Sequence, residues 1–156
     1  MEAVVFIGIP GSGKSSFYKE RLFSTHVRIS LDLLKTRRRE RRFLEACLET
    51  GQKFVVDNTN PTVADRLRYI EAARAARYSV VGYYFQSSVE ACLRRNSNRA
   101  EWVPEVAILS IARKLELPTA DEGFDTLSYV RLVDGRFVVE AWQDGASENG
   151  KPNDEI

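Results

Sequence analysis

Residue types that can hold a triphosphate stand close together near the amino terminus of the chain. Gly8, Gly13, Lys14 and Ser15 form the spacing Gly-x-x-x-x-Gly-Lys-Ser, which is typical of a phosphate-binding loop. Glycines let backbone N–H groups turn toward phosphate oxygens, and the positive end of the following helix adds to this attraction. The lysine ammonium would contact the β- and γ-phosphates, and the serine hydroxyl would bind Mg²⁺. The pattern predicts binding of ATP, or another nucleoside triphosphate, together with Mg²⁺.

The context of this loop supports the same interpretation. The apolar segment 3–9 precedes it and a predicted helix over 13–22 follows it. Because the motif requires a strand before it and a helix after it, the context favours a nucleotide site over a glycine turn without a ligand. The predicted nucleotide-binding residues are Gly8, Gly11, Ser12, Gly13, Lys14, Ser15 and Ser16.

A carboxylate follows a second apolar segment. Asp57 comes after three apolar residues in FVVDNTN, and ligands of open α/β sheets bind at the carboxyl ends of strands. Asp57 could therefore organise the metal together with Ser15, or contact the acceptor. Alternatively, Asp57 and Asn58 only form a turn before Pro61. With a phosphate loop in the same chain, we expect Asp57 at the metal or acceptor site.

Another carboxylate, Asp32, follows the short segment 26–30 in RISLDLLK. The carboxyl end of that strand would also face the phosphate loop. A carboxylate there could accept the proton of an attacking hydroxyl as a general base, and Lys35, one helical turn onward, could hold an anionic acceptor. Alternatively, Asp32 only lies in the first turn of its helix, where the helix dipole favours acids. The spacing alone leaves both interpretations open.

Two arginines could act on the transferred phosphate. Arg95 and Arg99 stand four residues apart in LRRNSNR, so one helix face can present both guanidinium groups. Arginines at a triphosphate neutralise charge that develops in phosphoryl transfer, an effect worth roughly 10³–10⁵ in rate. Alternatively, the pair belongs to a solvated basic face, which the arginine-rich composition alone favours.

Strands and helices must alternate for these residues to meet. Apolar segments predict strands, and apolar stripes at helical spacing predict helices. The predicted strands cover 3–9, 26–30, 53–57 and 79–85. The predicted helices cover 13–22 and 31–49, and three more begin at a Thr62–Asp65 capping box, a Ser87–Glu90 cap and a first turn with Pro104.

The predicted sheet ends in a hairpin. YVRLVDGRFVVEAW consists of two alternating runs joined by Asp134-Gly135, a strong hairpin signal. Strands that alternate with helices predict a parallel sheet covered by helices on both faces. We therefore predict one α/β domain over residues 1–142, with a P-loop NTPase or kinase fold and a C-terminal β-hairpin.

The composition describes an ordinary globular protein. Of 156 residues, 44% are hydrophobic and 29% charged, and the net charge is +1. The longest apolar run, 3–7, is too short to span a bilayer, and Cys47 and Cys92 fit no metal or redox spacing, so we expect a cytoplasmic protein without a membrane segment. Residues 143–156 hold four acids against one lysine and almost no apolar side chains, which predicts a disordered acidic tail.

The densest basic segment is KTRRRERR, residues 35–42, with six positive charges and Glu40. It directly follows Asp32, where a nucleic-acid acceptor would approach, and could contact phosphates. Alternatively, it is a solvated helix face, since no aromatic residue within it could stack on bases. Its position favours binding of a nucleic-acid backbone.

Taken in order, several of these motifs resemble one family. The chain resembles the 5′-hydroxyl polynucleotide kinases, the kinase domains of nucleic-acid end-healing enzymes. The shared features lie between residue 3 and about residue 127 and are GIPGSGKSS, SLDLLK, VVDNTNP, LRRNSNR, VPEVAI and EGFD. The resemblance implies that Lys14 and Ser15 bind triphosphate and metal, and that Asp32 is the general base on a 5′-hydroxyl. It also implies that Arg95 and Arg99 belong to a lid over the phosphates, with Arg99 the better candidate for direct contact.

The resemblance is weakest on the acceptor side. Asp57 matches the carboxylate that opens the family's third-strand motif, but Lys35 stands where an arginine usually holds the acceptor's phosphate. Lysine keeps the charge and loses the bidentate fork. Ser30 stands where asparagine is frequent. These departures leave the prediction of ATP use intact and leave the acceptor open.

The resulting hypothesis is an ATP-dependent kinase of 5′-hydroxyl ends of DNA or RNA, with Asp32 as base and Mg²⁺ as cofactor. One alternative is a kinase of a small hydroxyl compound such as a nucleoside, sugar or antibiotic. Another is a nucleotide-binding regulatory module with slow hydrolysis and no acceptor. The sequence does not indicate the oligomeric state.

Overall fold

Six strands form one sheet in the order β2-β3-β1-β4-β5-β6. The computed structural model describes residues 1–100 and 102–145. The strands are β1 (Glu2–Ile7), β2 (Val27–Ile29), β3 (Phe54–Val56), β4 (Ser79–Phe85), β5 (Thr126–Val133) and β6 (Arg136–Ala141). The helices are α1 (Lys14–Arg21), α2 (Leu31–Leu34), α3 (Arg37–Thr50), α4 (Val63–Ala75), α5 (Val89–Ser97) and α6 (Glu105–Lys114), with a 3₁₀ turn at Ala120–Glu122.

The sheet is mixed, with parallel strands throughout except at one edge. Strands β1 to β5 pair in parallel, and β6 pairs antiparallel with β5. In the turn between β5 and β6, Asp134 and Gly135 have φ of 49° and 74°, the positive values that a tight two-residue hairpin requires. The predicted α/β fold and its C-terminal hairpin are confirmed.

Helices cover both faces of the sheet because its central strands are apolar on both sides. In β1, Val5 and Ile7 pack with Ile70 of α4 and Cys47 of α3 on one face. On the other face, Val4 and Phe6 pack with side chains of α1 and β6: Phe17, Tyr18 and Phe137. Successive strand side chains point to opposite faces, so a run such as AVVFI fits a strand buried on both sides.

The predicted helix over 31–49 is wrong as a single element. Lys35 has φ 72° and ends α2, and Thr36 then begins α3, where its side chain accepts a hydrogen bond from the backbone N–H of Arg39. A non-glycine residue in the left-handed region cannot continue a helix. The chain therefore turns between the segment with Asp32 and the arginine-rich segment. Gly51 ends α3 at φ 73°, as the sequence predicts.

Two predicted helix starts shift by one residue, and one is confirmed. Ser88 rather than Ser87 caps α5, because the buried Ser87 hydroxyl donates to the Phe85 carbonyl and accepts from the Ile9 N–H. Pro104 is the N-cap residue of α6 rather than part of its first turn. The Thr62–Asp65 capping box of α4 is confirmed.

Two predictions concern the edges of the described chain. Within residues 1–100 and 102–145, no helix is long and apolar enough to cross a membrane. Most of the predicted disordered tail, residues 146–156, lies outside the described residues.

Candidate active site

The phosphate loop joins β1 to α1 and depends on glycines for its shape. Gly11 and Gly13 have φ of 84° and 100°, a region that residues with a Cβ rarely adopt. A Cβ on Gly11 would lie 2.6 Å from the carbonyl oxygen of Cys92, and one on Gly13 would lie 3.2 Å from the Phe137 ring. The backbone and its close neighbours therefore hold the turn from which α1 begins at Lys14.

The Lys14 side chain folds back over this loop. Its Nζ donates hydrogen bonds to the carbonyl oxygens of Gly8 at 2.9 Å and Ile9 at 3.0 Å. Burial lowers the pKa of Lys14 from 10.5 to about 8, although the nearby Asp57 carboxylate acts in the opposite direction. A desolvated ammonium group gains more from an approaching anion than a solvated one does. Lys14 is thus suited to contact phosphate.

Ser15 and Asp57, the two residues predicted to bind metal, touch each other. The Ser15 hydroxyl donates to Asp57 Oδ2 at 3.0 Å. Arg28 of β2 donates to the same Oδ2 from Nε at 2.8 Å and to Ser15 Oγ from Nη2 at 3.2 Å. The structure therefore places a hydroxyl, a carboxylate and a guanidinium at one point beside the phosphate loop.

These groups fit a hard divalent cation such as Mg²⁺. Hydroxyl and carboxylate oxygens are ligands of the required kind, and Mg²⁺ commonly binds one or two carboxylates plus water and substrate phosphates. The Arg28 guanidinium already supplies positive charge at both oxygens. In the described part of the chain, no group of three or more His, Cys, Asp or Glu side chains could hold a metal. Water and the oxygens of a bound triphosphate would therefore complete the coordination.

Asp32 lies in the first turn of α2 with its side chain exposed. Ser30 is the N-cap residue, yet among the described residues its hydroxyl makes no capping hydrogen bond. Asn58 Oδ1 instead accepts a hydrogen bond from the Leu31 N–H at 2.9 Å. The segment after β3 thus fixes the start of the helix that carries Asp32. Lys35 is exposed at the other end of α2.

Arg95 and Arg99 are placed by two different contacts. Arg95 Nε donates to the carbonyl oxygen of Gly11 in the phosphate loop at 2.6 Å. The buried Asn96 donates to the Val103 carbonyl at 2.7 Å and accepts from the Val103 N–H at 2.8 Å. Asn96 thereby closes the loop between α5 and α6, which contains Arg99. We call residues 98–100 and 102–104 the α5–α6 loop.

One cavity of about 470 Å³ brings most of the predicted site residues together. Its walls include the phosphate loop, both carboxylates and both arginines. The predicted residues that line it are Gly11, Gly13, Lys14, Ser15, Ser16, Asp32, Asp57, Arg95 and Arg99. Among the described residues, Gly8, Ser12 and Lys35 do not line it. Gly8 and Ser12 instead lie behind Lys14, within hydrogen-bond distance of its ammonium group.

A buried polar cluster connects the arginine-rich helix α3 to this cavity. Glu40 accepts hydrogen bonds from Asn58 Nδ2 at 2.8 Å, from the Tyr69 hydroxyl at 2.7 Å and from Arg37 Nη1 at 2.9 Å. Burial and the hydrogen bond to Glu40 raise the pKa of Tyr69 to about 12, so this hydroxyl remains a donor at neutral pH. The one acid in the basic segment 35–42 therefore anchors α3 beside the cavity.

The sequence does not predict a site role for four residues of this site. It indicates Asn58 only as a turn residue and no role for Asn96, although both lie inside the motifs DNTN and RNSNR. Their position within those motifs is a signal that points to them. Arg28 and Glu40 carried no such signal, because one resembles any charged residue in a short strand and the other an ordinary acid in a charged helix.

Most of the chain matches one known sequence family. The profile of the AAA domain matches residues 4–118. The chain belongs to the AAA domain family. This AAA domain is 30% identical over 135 residues to the bifunctional polynucleotide phosphatase/kinase of Schizosaccharomyces pombe, a match that covers 83% of this chain and 33% of that protein. The chain thus spans about one third of the length of the curated relatives that it matches.

Solved structures share the fold of this AAA domain. A gluconokinase from Sinorhizobium meliloti 1021 gives a TM-score of 0.59 at 19% identity, covering 83% of this chain and 82% of its own. Kti12 from Chaetomium thermophilum, in complex with ADP-AlF3, gives 0.63 at 18% identity, covering 85% and 90%. At these identities the likeness shows the fold alone. The predicted P-loop kinase fold and the resemblance to polynucleotide kinases are confirmed.

Proposed function

We propose that this AAA domain transfers the γ-phosphate of ATP to the 5′-hydroxyl end of DNA or RNA. The observation that carries the proposal is the cavity that Asp32 lines together with the phosphate loop, Arg95 and Arg99. A relative named as a polynucleotide phosphatase/kinase supports this class of acceptor.

The donor half of the cavity would hold the triphosphate. Lys14 and the amino terminus of α1 would bind the β- and γ-phosphates. Ser15 and Asp57 would hold Mg²⁺, which when bound neutralises charge on the phosphate oxygens. Arg95 and Arg99 would stabilise the negative charge that spreads over the transferred group.

The acceptor half would supply the base. Asp32 would accept the proton of the 5′-hydroxyl while the oxygen of that hydroxyl forms a bond to the γ-phosphorus. The bond from that phosphorus to the oxygen bridging to the β-phosphate breaks, and ADP leaves with the electron pair. Because Asp32 is exposed, the end of a long polymer could reach it without a conformational opening.

The charge distribution of α3 supports a polymeric acceptor. Arg38, Arg39 and Arg41 are exposed and form no ion pair within the described residues, whereas Glu45 and Glu49 lie in later turns. This order opposes the helix dipole, which favours acids at the amino end and bases at the carboxyl end. A backbone of phosphates would offset that cost. We call Arg38, Arg39 and Arg41 the arginine surface; it would bind the acceptor strand downstream of its 5′ end.

Label transfer from [γ-³²P]ATP to a 5′-hydroxyl oligonucleotide tests the proposal. We expect end labelling by the wild-type chain and a loss of at least about 100-fold in Asp32→Asn, since a general base contributes roughly 10²–10⁴. ATP binding should persist in this variant because Asp32 is not part of the phosphate loop. Asp134→Asn, in the exposed hairpin turn, is the matched control and should label like the wild type.

The alternatives predict other results. Labelling of a nucleoside or sugar without labelling of an oligonucleotide would show that the acceptor is a small molecule and contradict the proposed nucleic-acid acceptor. ATP hydrolysis without transfer, unchanged in Asp32→Asn, would contradict both the acceptor and the role of Asp32.

A further inference from the structure

Arg28 lies where the proposed metal would bind. Its guanidinium contacts the same two oxygens, Asp57 Oδ2 at 2.8 Å and Ser15 Oγ at 3.2 Å, that are the candidate metal ligands. Mg²⁺ approaches its ligand oxygens to about 2.0–2.1 Å. A cation that close to Asp57 Oδ2 and a guanidinium at hydrogen-bond distance from it would repel each other and compete for its lone pairs. Arg28 and the metal therefore compete for this position.

The burial of the two partners indicates which of them can move. The Asp57 side chain is 2% exposed, whereas that of Arg28 is 28% exposed. Arg28 extends from β2, a three-residue strand at the edge of the sheet. Asp57 directly follows β3, which lies between two other strands of the sheet. Its buried side chain cannot move to solvent without disrupting the packing around it. The guanidinium is thus the group that can swing toward solvent.

A buried carboxylate also explains why an arginine stands here. A carboxylate removed from water is costly unless a cation compensates it. Across residues 1–100 and 102–145, Arg28 is the one basic side chain within ion-pair distance of Asp57. Without metal, Arg28 supplies that compensation; with metal, it is no longer needed at the carboxylate.

We propose that Arg28 occupies the metal position in the nucleotide-free protein and excludes free Mg²⁺ from it. The metal then enters together with the triphosphate, whose oxygens complete its coordination, while the guanidinium moves aside. This inference rests on the metal-binding part of the proposed function and is independent of the acceptor.

Binding of Mn²⁺ to the nucleotide-free protein, measured by the loss of the free-ion EPR signal, tests the inference. Arg28→Gln removes the cation and keeps a polar side chain of moderate length. We expect it to bind one Mn²⁺ at least about tenfold more tightly than the wild type, because an opposing charge is gone. Adding Asp57→Asn should abolish the gain. Arg94→Gln, an exposed arginine of α5, is the matched control and should bind like the wild type.

Two results would overturn the inference. Equal Mn²⁺ affinity in Arg28→Gln and wild type would reduce Arg28 to a structural ion pair. A gain that persists with Asp57→Asn would show that the ion binds elsewhere, and this result alone would also remove Asp57 from the proposed metal site. If Arg28→Gln fails to fold, Arg28→Lys is tested instead, because lysine loses the two-point contact with Asp57 and Ser15. This variant should bind Mn²⁺ more tightly than the wild type. An unchanged affinity would contradict the inference.

Discussion

The side-chain amide of Asn58 donates a hydrogen bond to the buried carboxylate of Glu40 across 2.8 Å. The carbonyl oxygen of the same amide accepts from the Leu31 N–H at 2.9 Å. One side chain therefore fixes the start of α2, with Asp32, and the first turn of α3. Because α2 has only four residues and so short a helix is not stable alone, the direction of Asp32 depends on this contact.

Asn58→Ala should lower kcat for end labelling by roughly 10–100-fold, since a misplacement of about 1 Å can cost 10²-fold. The KM for ATP should change little because the phosphate loop keeps its contacts. Unfolding in urea should show a loss of stability of about 1–3 kcal/mol, because the buried Glu40 Oε2 atom loses its hydrogen bond from Asn58. Tyr69→Phe is the matched control: it removes another hydrogen bond to Glu40 and leaves Leu31 capped. Equal losses of kcat in both variants would contradict a specific role of Asn58 in placing Asp32.

Binding of ATP should take up a proton through Lys14. The pKa of Lys14 is lowered to about 8 in the free protein, and a bound triphosphate favours the ammonium form. At pH 9 most free protein carries neutral Lys14, so binding should take up nearly one proton; at pH 7 the lysine is already charged and uptake should be near zero. Calorimetry in two buffers of different ionisation enthalpy measures this uptake.

The exposed Lys53 provides the comparison for this measurement. Lys53→Met should leave the proton uptake at pH 9 unchanged. Identical uptake at pH 7 and pH 9 in the wild type would contradict the assignment to Lys14.

Asn96→Ala should loosen the α5–α6 loop. Its amide pairs with both backbone groups of Val103, so its loss leaves Arg99 held mainly by its backbone hydrogen bond to the Asn96 carbonyl. We expect kcat to fall by roughly 10–100-fold and trypsin to cleave after Arg99 several-fold faster. Ser97→Ala, the next residue on the exposed end of α5, should alter neither rate. Unchanged cleavage together with full activity would show that other contacts hold the loop.

Replacing Arg38 and Arg41 by glutamine should weaken oligonucleotide binding. If the arginine surface binds phosphates, each substitution should reduce the slope of log K against log salt by about one. Fluorescence anisotropy with a labelled oligonucleotide, at salt concentrations of about 50 to 200 mM, measures both the affinity and the slope. Arg68→Gln, an exposed arginine of α4, should leave the slope unchanged. An unchanged slope in Arg38→Gln/Arg41→Gln would remove the arginine surface from the acceptor site.

The order of elements and the phosphate loop could be predicted because their signals are local. The loop needs glycines at particular positions, and Gly11 and Gly13 do adopt positive φ. The hairpin needs two residues of positive φ, which Asp134 and Gly135 provide. The strands are short apolar runs, and such runs are typical of strands that helices bury on both faces of a parallel sheet.

The break between α2 and α3 could not be predicted, because Lys35 is an ordinary helix residue by propensity and adopts φ 72° only where the chain turns. The contacts of Arg28, Glu40 and Asn58 could not be predicted from the sequence either. Each links segments distant along the chain, such as Arg28 with Asp57 and Glu40 with Tyr69. Asn96 differs, because its partner Val103 lies only seven residues further along the chain. A local pattern specifies backbone conformation and burial, whereas a hydrogen bond between distant side chains exists only after the sheet has brought their elements together.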